Sequence, residues 1–400
     1  MTSWDAVVVG AGPAGSATAL LLARAGARVL LLERARFPRD KPCSEYLSPE
    51  STRVLERLGH GVVDAVAAAS PARLRGMKVV APSGAAMIGR FGGRTSFALP
   101  RTRFDAILLD AARAAGADVR EGVKVEELVY DHGAVAGVVA RDAGYGMRDA
   151  HRARVVVGAD GLRSVVARRL GGIRTSPPRR VAFTAHVADV AGVESLGEMH
   201  VGRGGYVGLG PIGEGVTTVA LVLPLEAVRR RGPPKFFEAL DRFPALAGRF
   251  DPRRMVRQVM ATGPFAQWSR RPVARGGGAL LVGDAADFFD PFTGQGIYSA
   301  LRGAELAAEC LLPALADGGA EPIPAAALRP YARARRREFA GKWLLERLIA
   351  LGVGWPALAE RVVGRLARRP ELADLLVGAT GNIVPARAVL TPRVLGRLIW

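Results

Sequence analysis

The chain of 400 residues is poor in cysteine, and its two cysteines, Cys43 and Cys310, lie far apart. Two distant thiols cannot form a disulfide framework, and no paired His/Cys spacing suggests a metal cluster. We therefore expect no metal site and a protein of the reducing cytoplasm.

Long apolar runs are also missing, since none approaches the roughly 20 residues that a transmembrane helix requires. The N-terminal stretch MTSWDAVVVGAG has neither a basic region nor a small-residue cleavage site. We expect a protein that is neither exported nor integral to a membrane.

Acidic side chains are in deficit, because 37 Asp and Glu stand against 56 Lys and Arg, a net charge of +19. This balance favours acidic partners such as nucleotides or an anionic bilayer surface. No nucleic-acid partner is expected, since arginine is spread along the chain without an interleaved aromatic and basic module. The amphipathic stretch REFAGKWLLERLIAL, with Phe339, Trp343 and Leu348 near one face, indicates either peripheral membrane docking or packing on the protein itself.

The hydrophobic pattern predicts an α/β fold with two or three domains. WDAVVV, PAGSATALLLARAGA and RVLLLERA read as strand, helix and strand, whereas the segments between 181 and 223 alternate with period two, as in an antiparallel sheet. The stretch GGGALLVGDAA then returns to the buried-strand pattern. We predict a discontinuous Rossmann-like domain (1–75, 100–180 and 265–315), an inserted substrate-binding β-sheet domain (76–99 and 181–264) and a C-terminal helical region (316–400).

The first glycine motif is GAGPAG, which follows a strand and opens a helix. Bare backbone amides at a helix N-terminus bind a pyrophosphate, and Glu33 at the end of the next strand is placed to bind ribose hydroxyls. The pattern predicts a bound dinucleotide, FAD or NAD. The residues assigned to this end are Gly10, Gly12, Pro13, Ala14, Gly15, Glu33, Arg34 and Val125.

The second glycine motif is GDAADFFDPFTGQGIYSAL, residues 283–301. A carboxylate there can bind a polyol chain, and the N-terminus of the following helix would stabilise a ring that becomes anionic on reduction. Reduced flavin is such a ring and nicotinamide is not, so the motif favours FAD over a capped loop without ligand. The residues assigned to it are Gly283, Asp284, Pro291, Gly294, Gln295 and Gly296.

A third motif, VVVGADGLRS, ends a strand at Asp160 and Gly161. In this order the three motifs resemble the flavoproteins with the p-hydroxybenzoate hydroxylase fold, and among them the geranylgeranyl reductase-like branch. The resemblance covers most of residues 1–315. It implies a FAD that also contacts Arg101, and an NADH or NADPH that binds transiently near Asp160 and Gly161.

The segment FPRDKPCSEYLSPES resembles the K-x-C-G-G-x-L stretch that borders the flavin in prenyl reductases. Lys41, Cys43 and Leu47 match this stretch, whereas Ser44, Glu45 and Tyr46 depart from it. Glu45 or Tyr46 is a candidate to orient a polar substrate or relay a proton. Cys43 is a candidate either for a nucleophile or for a packing residue.

The sheet domain departs from the same family. Prenyl reductases carry Y-x-W-x-F-P over the lipid, while this chain has GGYVGLGPIG, which keeps Tyr206 and places Gly208 and Gly210 at the aromatic positions. Small residues there would admit a bulkier ring system. The candidate catalytic residues are Cys43, Glu45, Tyr46 and Tyr206. His186 and His200 are candidate acid/base groups or packing residues.

Together these patterns predict an FAD-dependent oxidoreductase, reduced by NADH or NADPH, that acts on a hydrophobic small molecule. The departures favour a monooxygenase, and reduction of isoprenoid double bonds is the alternative. A nicotinamide-only dehydrogenase and a basic membrane- or nucleic-acid-binding module are the competing classes. The sequence does not indicate an oligomeric state.

Overall fold

A computed structural model describes residues 3–59, 61–144 and 146–399. The N-terminal part forms β1 (Trp4–Val9), α1 (Pro13–Arg24), β2 (Val29–Glu33), β3 (Tyr46–Leu47), α2 (Pro49–Leu58), α3 (Val62–Ala68), β4 (Ala72–Leu74), β5 (Gly76–Val80), β6 (Ala86–Arg90) and β7 (Ser96–Ala98). It continues with α4 (Arg101–Ala114), β8 (Asp118–Glu121), β9 (Val123–Asp131), β10 (Ala134–Asp142), β11 (Arg148–Gly158), α5 (Val165–Leu170) and β12 (Ile173–Thr175).

The middle of the chain forms β13 (Arg180–Ala188), β14 (Leu196–Gly202), β15 (Gly205–Gly213), β16 (Val216–Pro224), α6 (Leu225–Arg231), α7 (Phe236–Leu240) and β17 (Met255–Thr262). The last part forms β18 (Gln267–Ser269), β19 (Ala279–Leu281), β20 (Asp287–Phe288), α8 (Gly296–Leu315), α9 (Ala325–Val353), α10 (Pro356–Ala367), α11 (Pro370–Thr380) and α12 (Pro392–Ile399).

The first sheet has the order β8-β2-β1-β11, and the long strand β11 continues it in two directions. One half of β11 pairs in parallel with β19, and the other half pairs antiparallel with the hairpin β9-β10. Strands β1 and β2 are almost wholly apolar, as expected for strands buried on both faces. Helices α1, α4 and α8 cover one face, and β9 and β10 pack against the other.

The second sheet has seven strands in the order β17-β13-β16-β15-β14-β5-β6. Only the β14-β5 pair is parallel, and β5 and β6 come from residues 76–90, far from the rest of the sheet in sequence. One face packs against α7 and the neighbouring loops, and the other packs against α9 to α12. Helices α9 to α12, which follow the glycine motifs in the chain, therefore cover one face of this sheet. Two small sheets, β12-β18-β20 and β3-β7-β4, complete the fold.

A buried network joins the second sheet to the C-terminal helices. Arg180 on β13 donates to Asp290 Oδ2 at 2.5 Å and to the carbonyl of Ala350 in α9 at 2.7 Å. The hydroxyl of Tyr206 on β15 donates to the other oxygen of Asp290 at 2.6 Å. Because all these side chains are buried, removing one partner of the ion pair would cost about 3 kcal/mol or more.

For Phe339 and Trp343 of α9, the structure shows packing on the protein itself, and membrane docking stays a prediction. Phe339 is 1% exposed and Trp343 donates its indole N–H to Asp287 at 3.0 Å, so both pack inward rather than towards solvent. Leu348 is 41% exposed, and the other exposed apolar residues nearby are Leu344, Leu351 and Trp355.

The predicted fold class is confirmed: an α/β domain, a second largely antiparallel sheet inserted into it, and C-terminal helices. The strands fall in the predicted segments, whereas the domain boundaries themselves stay a prediction. Within residues 3–399 apart from the two positions left out, no helix is both long and apolar enough to cross a membrane.

Candidate active site

The first glycine motif sets how closely α1 packs on the first sheet. A Cβ at Gly15 would lie 1.8 Å from the carbonyl oxygen of Gly10, and a Cβ at Gly10 would lie 2.8 Å from the carbonyl oxygen of Ala159 on the neighbouring strand connection. Gly10 also has a φ of +95°, in the region that favours glycine. No larger residue fits at either position without moving the backbone.

Gly12 has a different role, because a Cβ there would meet no atom closer than Arg39 Nη2 at 3.7 Å. The N-terminus of α1 follows it directly, beginning at Pro13 without an acidic residue in its first turn. The amides of the first turn lack intrahelical partners, and they face the open side of Gly12 together with two guanidinium groups nearby. This cradle suits the pyrophosphate of a dinucleotide.

Glu33 ends β2 beside this cradle. Its carboxylate accepts the backbone N–H groups of Ala11 at 2.8 Å and Ala35 at 2.9 Å, one on each oxygen. Each carboxylate oxygen keeps a further lone pair, so the predicted ribose contact remains available. Arg34 is exposed next to it, and Val125 lies on β9 in the core beneath the sheet.

The second motif supplies a carboxylate opposite the cradle. Asp284 lies in a short 3-10 turn, Gly283–Ala285, that follows β19, and Gly283 packs against Ala14 of α1. Burial raises the pKa of Asp284, and the charges of Lys41 and Arg101 oppose that effect. Burial and the Arg101 guanidinium lower the pKa of Lys41. The two groups therefore favour each other's charged forms in a site that disfavours isolated charge.

Arg101 begins α4 and is 6% exposed. It forms a two-point ion pair with Asp105, at 2.6 and 2.7 Å, and Asp105 also binds Arg39 at 2.8 Å. Although burial acts against its charge, Asp105 and the neighbouring Cys43 raise the pKa of Arg101. Arg101 is thus a fixed cation on the wall of the site, and its contact with the flavin stays a prediction.

The turn before α8 brings the second motif against the loop after β2. Pro291 starts a 3-10 turn that ends at Gly294, whose φ is +65° and whose Cβ would lie 2.8 Å from the ring of Tyr46. Gln295 and Gly296 then open α8. The Oε1 atom of Gln295 is buried with no partner among the residues that the structure describes.

The third motif lies at the end of β11. Asp160 Oδ2 accepts from the N–H of Val165 at 2.6 Å, while its Oδ1 is buried and has no partner in the described part of the chain. Burial raises the pKa of this carboxyl group. Gly161 follows with a φ of +77° and lies close to Lys41 Nζ.

These motifs enclose one cavity of about 170 Å³ between the first and the second sheet. The sheet contributes small or thin side chains, among them Ala182, Thr184, Met199, Gly208 and Ala220. Of the residues assigned from the sequence, Gly12, Pro13, Ala14, Lys41, Cys43, Tyr46, Arg101, Gly161, Tyr206, Asp284, Pro291, Gly294, Gln295 and Gly296 line it.

Glu45 does not line this cavity but lies directly behind it. Its side chain is fully buried, and its φ of +61° is unusual for a residue other than glycine. A backbone of this kind costs about 1–3 kcal/mol and persists only where surrounding contacts hold it. The holding contacts are His186 Nε2 at 2.7 Å and the backbone N–H of Arg101 at 3.1 Å. Sequence reasoning did not connect His186 with Glu45.

The two tyrosines form walls rather than free acids. Burial raises the pKa of Tyr46, whose ring packs on Gly294 and lies 6.4 Å from the ring of Phe91. Burial and the adjacent Asp290 raise the pKa of Tyr206, whose proton is already donated to that carboxylate. Tyr206 therefore fixes the loop of Asp290 and presents only its ring to the cavity.

A second cavity of about 310 Å³ lies beyond Tyr46 and Met199, which line both cavities. It is enclosed by β5, β6 and β14 on one side and by α9, α10, α11 and α12 on the other. Its lining is almost wholly aliphatic, including Met77, Val79, Met87, Leu345, Ile349, Ala359, Val363, Leu366 and Leu398. The sequence motifs gave no sign of it, because its walls come from distant segments.

The first cavity fits FAD on two observations. Gly12 leaves a cradle that any Cβ would narrow, and the buried Oδ1 of Asp160 and Oε1 of Gln295 lack hydrogen-bond donors from the described residues. When bound, FAD supplies reversible two-electron chemistry. Gly12 and the first turn of α1 would hold its phosphates, Glu33 its ribose, and Asp284 its polyol chain.

Comparison with known proteins agrees with this geometry. The family model for the FAD binding domain matches residues 3–338. The chain is 31% identical over 326 residues to the digeranylgeranylglycerophospholipid reductase of Methanosarcina mazei, covering 79% of this chain and 76% of that one. It is 29% identical over 404 residues to the menaquinone reductase of Mycolicibacterium smegmatis, covering 96% and 92%.

Among solved structures, a flavoprotein/dehydrogenase from Cytophaga hutchinsonii superposes with a TM-score of 0.82 at 20% identity, covering 95% of this chain and 93% of that one. That likeness shows the fold. The chain therefore belongs to the FAD binding domain family, and its resemblance to the geranylgeranyl reductase-like flavoproteins is confirmed. It is a flavoprotein oxidoreductase.

Two glycines of the motif, Gly12 and Gly15, predict different effects on substitution. Gly12→Ala should weaken FAD binding about 10-fold or more while leaving the melting temperature of the apoprotein unchanged, because its Cβ enters only ligand space. Gly15→Ala should lower the melting temperature of the apoprotein itself, because its Cβ overlaps the Gly10 carbonyl. Calorimetry of both apoproteins and titration with FAD measure the two effects. Equal melting temperatures for both variants would contradict this assignment.

Proposed function

We propose that this FAD-dependent oxidoreductase saturates carbon–carbon double bonds in an isoprenoid chain, with NADH or NADPH as the transient reductant. The observation that carries the proposal is the aliphatic cavity of about 310 Å³ that meets the cofactor cavity at Tyr46 and Met199. An isoprenoid lying in this cavity would place one segment beside the cofactor, and the rest of the isoprenoid would be shielded from water.

The side chains that line the aliphatic cavity favour a substrate without polar groups. Apart from Tyr46, the side chains that carry a hydroxyl there belong to Thr293 and Thr380, and no charged residue lines the cavity in the described part of the chain. A polar substrate would find few partners in such surroundings, and a buried oxygen left unpaired costs several kcal/mol. Burial of aliphatic carbon instead contributes about 25 cal/mol per Å².

The relatives point in the same direction. The menaquinone reductase matches 96% of this chain, so the likeness includes the C-terminal helices that build the aliphatic cavity. The other relative is named as a reductase of a lipid with geranylgeranyl chains. Both names are those of reductases of molecules that carry isoprenoid chains, which supports an isoprenoid substrate for this chain, and neither identifies that substrate.

The structure weakens the reason for favouring a hydroxylase. The sequence suggested that Gly208 and Gly210 open room for a bulky ring. A Cβ at Gly208 would lie 3.3 Å from the sulfur of Met199, and a Cβ at Gly210 would meet Thr218 at 3.5 Å and the Ser44 carbonyl at 3.8 Å. Neighbouring groups already border the space that the glycines leave, so hydroxylation is the second candidate.

We also propose that the helical end of the molecule docks on an anionic membrane, from which an isoprenoid would enter. Leu344, Leu348 and Leu351 are 50%, 41% and 59% exposed and recur at helical spacing on one face of α9, and Trp355, 65% exposed, follows in the connection to α10. Leu348 also lines the aliphatic cavity. The exposed Arg347 lies among them, and the chain carries +19 overall, which favours anionic lipid.

The reaction predicts a simple mass change. With NADPH or NADH and without oxygen, the holoprotein should add two hydrogen atoms per double bond to a geranylgeranyl lipid. Mass spectrometry of the product measures this. A product heavier by one oxygen atom, formed only in air, would instead identify a hydroxylase.

Filling the aliphatic cavity should block the substrate and spare the cofactor. Ala359 of α10 lines the cavity and is 8% exposed, so Ala359→Phe should reduce turnover of an isoprenoid at least 10-fold without changing FAD content. Ala357→Phe on the exposed side of the same helix is the matched control. Turnover that falls equally in both variants would argue against the cavity as the substrate site.

Membrane docking predicts lipid-dependent pelleting. The holoprotein should pellet with vesicles that contain phosphatidylglycerol and phosphatidylcholine, and Leu351→Ser with Trp355→Ser should abolish most of that binding. Val256 is 61% exposed on β17, so Val256→Ser is a control of similar exposure elsewhere. Unchanged pelleting of the double variant would refute docking through this face.

A further inference from the structure

The loop after β2 contains an acid where the resembling reductases carry glycine. The second glycine position of K-x-C-G-G-x-L is occupied here by Glu45, and its φ of +61° is a conformation that suits glycine. The chain thus keeps a glycine-like backbone and adds a carboxylate to it. Such an outlier at a cofactor site is a reason to look for a function of the side chain.

Glu45 meets one imidazole in the interior. Its Oε2 lies 2.7 Å from Nε2 of His186, and both residues are buried, with 0% and 8% exposure. His186 lies on β13 two residues after Thr184 and four after Ala182, which line the cofactor cavity. Because side chains of a strand alternate between faces, His186 lies on the cavity face of the second sheet.

The polar and charged groups around this pair belong to β17, to α4 and to the loop of Glu45 itself. Arg257 of β17 lies 3.8 Å from Glu45 Oε1, binds Asp40 at 2.9 Å, and donates to Thr184 Oγ1 at 3.1 Å. The N–H of Arg101, at the start of α4, donates to Glu45 Oε1. Within its own loop, the N–H of Glu45 donates to the sulfur of Cys43 at 3.2 Å.

Saturation of a double bond requires such a group, and the following argument rests on the proposed function. One carbon takes a hydride, with its electron pair, from the reduced cofactor, which returns to its oxidised form. The other carbon takes one proton. Hydride transfer from NADPH to FAD, by contrast, yields the anionic reduced cofactor without a proton from the protein. Only the second half-reaction therefore needs a proton source.

We propose that Glu45 and His186 form the proton-supplying pair of this cavity. They hold a proton between Oε2 and Nε2, and they act through the hydroxyl of Thr184, which lies two residues before His186 on the same face of β13. Thr184 accepts from Arg257, so its own proton is free to pass to the substrate carbon, and the proton held by the pair then replaces it on the hydroxyl. A proton from water restores the pair. Glu45 and His186 are positioning residues in this scheme, since neither lines the cavity in the described structure.

The chain offers a matched control for a buried His–Glu pair. His200 Nε2 lies 2.6 Å from Glu198 Oε2, and both residues are buried at 2% and 3% exposure. They flank Met199 on β14, so they lie on the face of the second sheet opposite to the cofactor cavity. Glu198 is also held by Arg249 at 2.8 and 3.0 Å.

The test separates the two half-reactions. Holoprotein reduced with dithionite under nitrogen is mixed with a geranylgeranyl lipid, and reoxidation of FAD is followed by absorbance. Glu45→Gln and His186→Asn should slow this step about 100-fold, the range expected for loss of acid catalysis, while NADPH reduces FAD at the wild-type rate. Glu45→Gly, which suits the backbone, should be equally slow. His200→Asn should leave the step unchanged.

The pH profile provides the readout that a structural role would not change. The rate of the wild-type step should vary little between about pH 6 and 8, whereas that of Glu45→Gln should fall in proportion to the proton concentration. Rates and profiles like wild type, or equal slowing of both half-reactions, would overturn the proposal. If wild-type protein itself is not reoxidised by the lipid, the proposed function fails instead.

Discussion

The contact on which the rest depends is one of backbone on backbone: Gly15 of α1 against the carbonyl of Gly10, and Gly10 against the connection that leaves β11. It fixes the start of α1 directly over the end of β1. The amides of the first turn, the open side of Gly12 and the carboxylate of Glu33 then meet at one point. A side chain on either glycine would move α1 away and dismantle the cofactor site.

The second element of the architecture is the way the inserted sheet is held against that site. The loop that carries Lys41, Cys43 and Tyr46 is anchored through Glu45 to β13 and to α4. The Arg180–Asp290 ion pair joins β13 to the turn before α8 and to α9. These buried charges fix both walls of the cofactor cavity and leave the aliphatic cavity between sheet and helices.

The sequence alone predicted what is local. Glycine loops, buried strands and the acid at the end of β2 follow from patterns within about 35 residues, and the structure contains them. Residues that depart from a family pattern also pointed to Glu45. Its contact with His186 could not be predicted from the sequence, because the two residues lie 141 positions apart in the chain.

Contacts between distant segments also decide which face of α9 is buried, and the sequence pattern did not reveal them. Helical periodicity alone allowed Phe339 and Trp343 to face solvent, but both rings pack inward against the buried Arg335 and the half-buried Asp287. The exposed stripe shifts to Leu344, Leu351 and Trp355. Which face of a helix is covered depends on its neighbours, and those neighbours come from segments without a motif.

The central claim is that an apolar chain and the cofactor meet at Tyr46 and Met199. A crystal structure of the FAD-bound protein with a saturating geranylgeranyl lipid tests it most directly. The account predicts continuous density for the chain between the second sheet and α9 to α11, with a double bond beside the flavin ring. Density for the lipid elsewhere, with the aliphatic cavity still filled only by protein side chains or water, would contradict it.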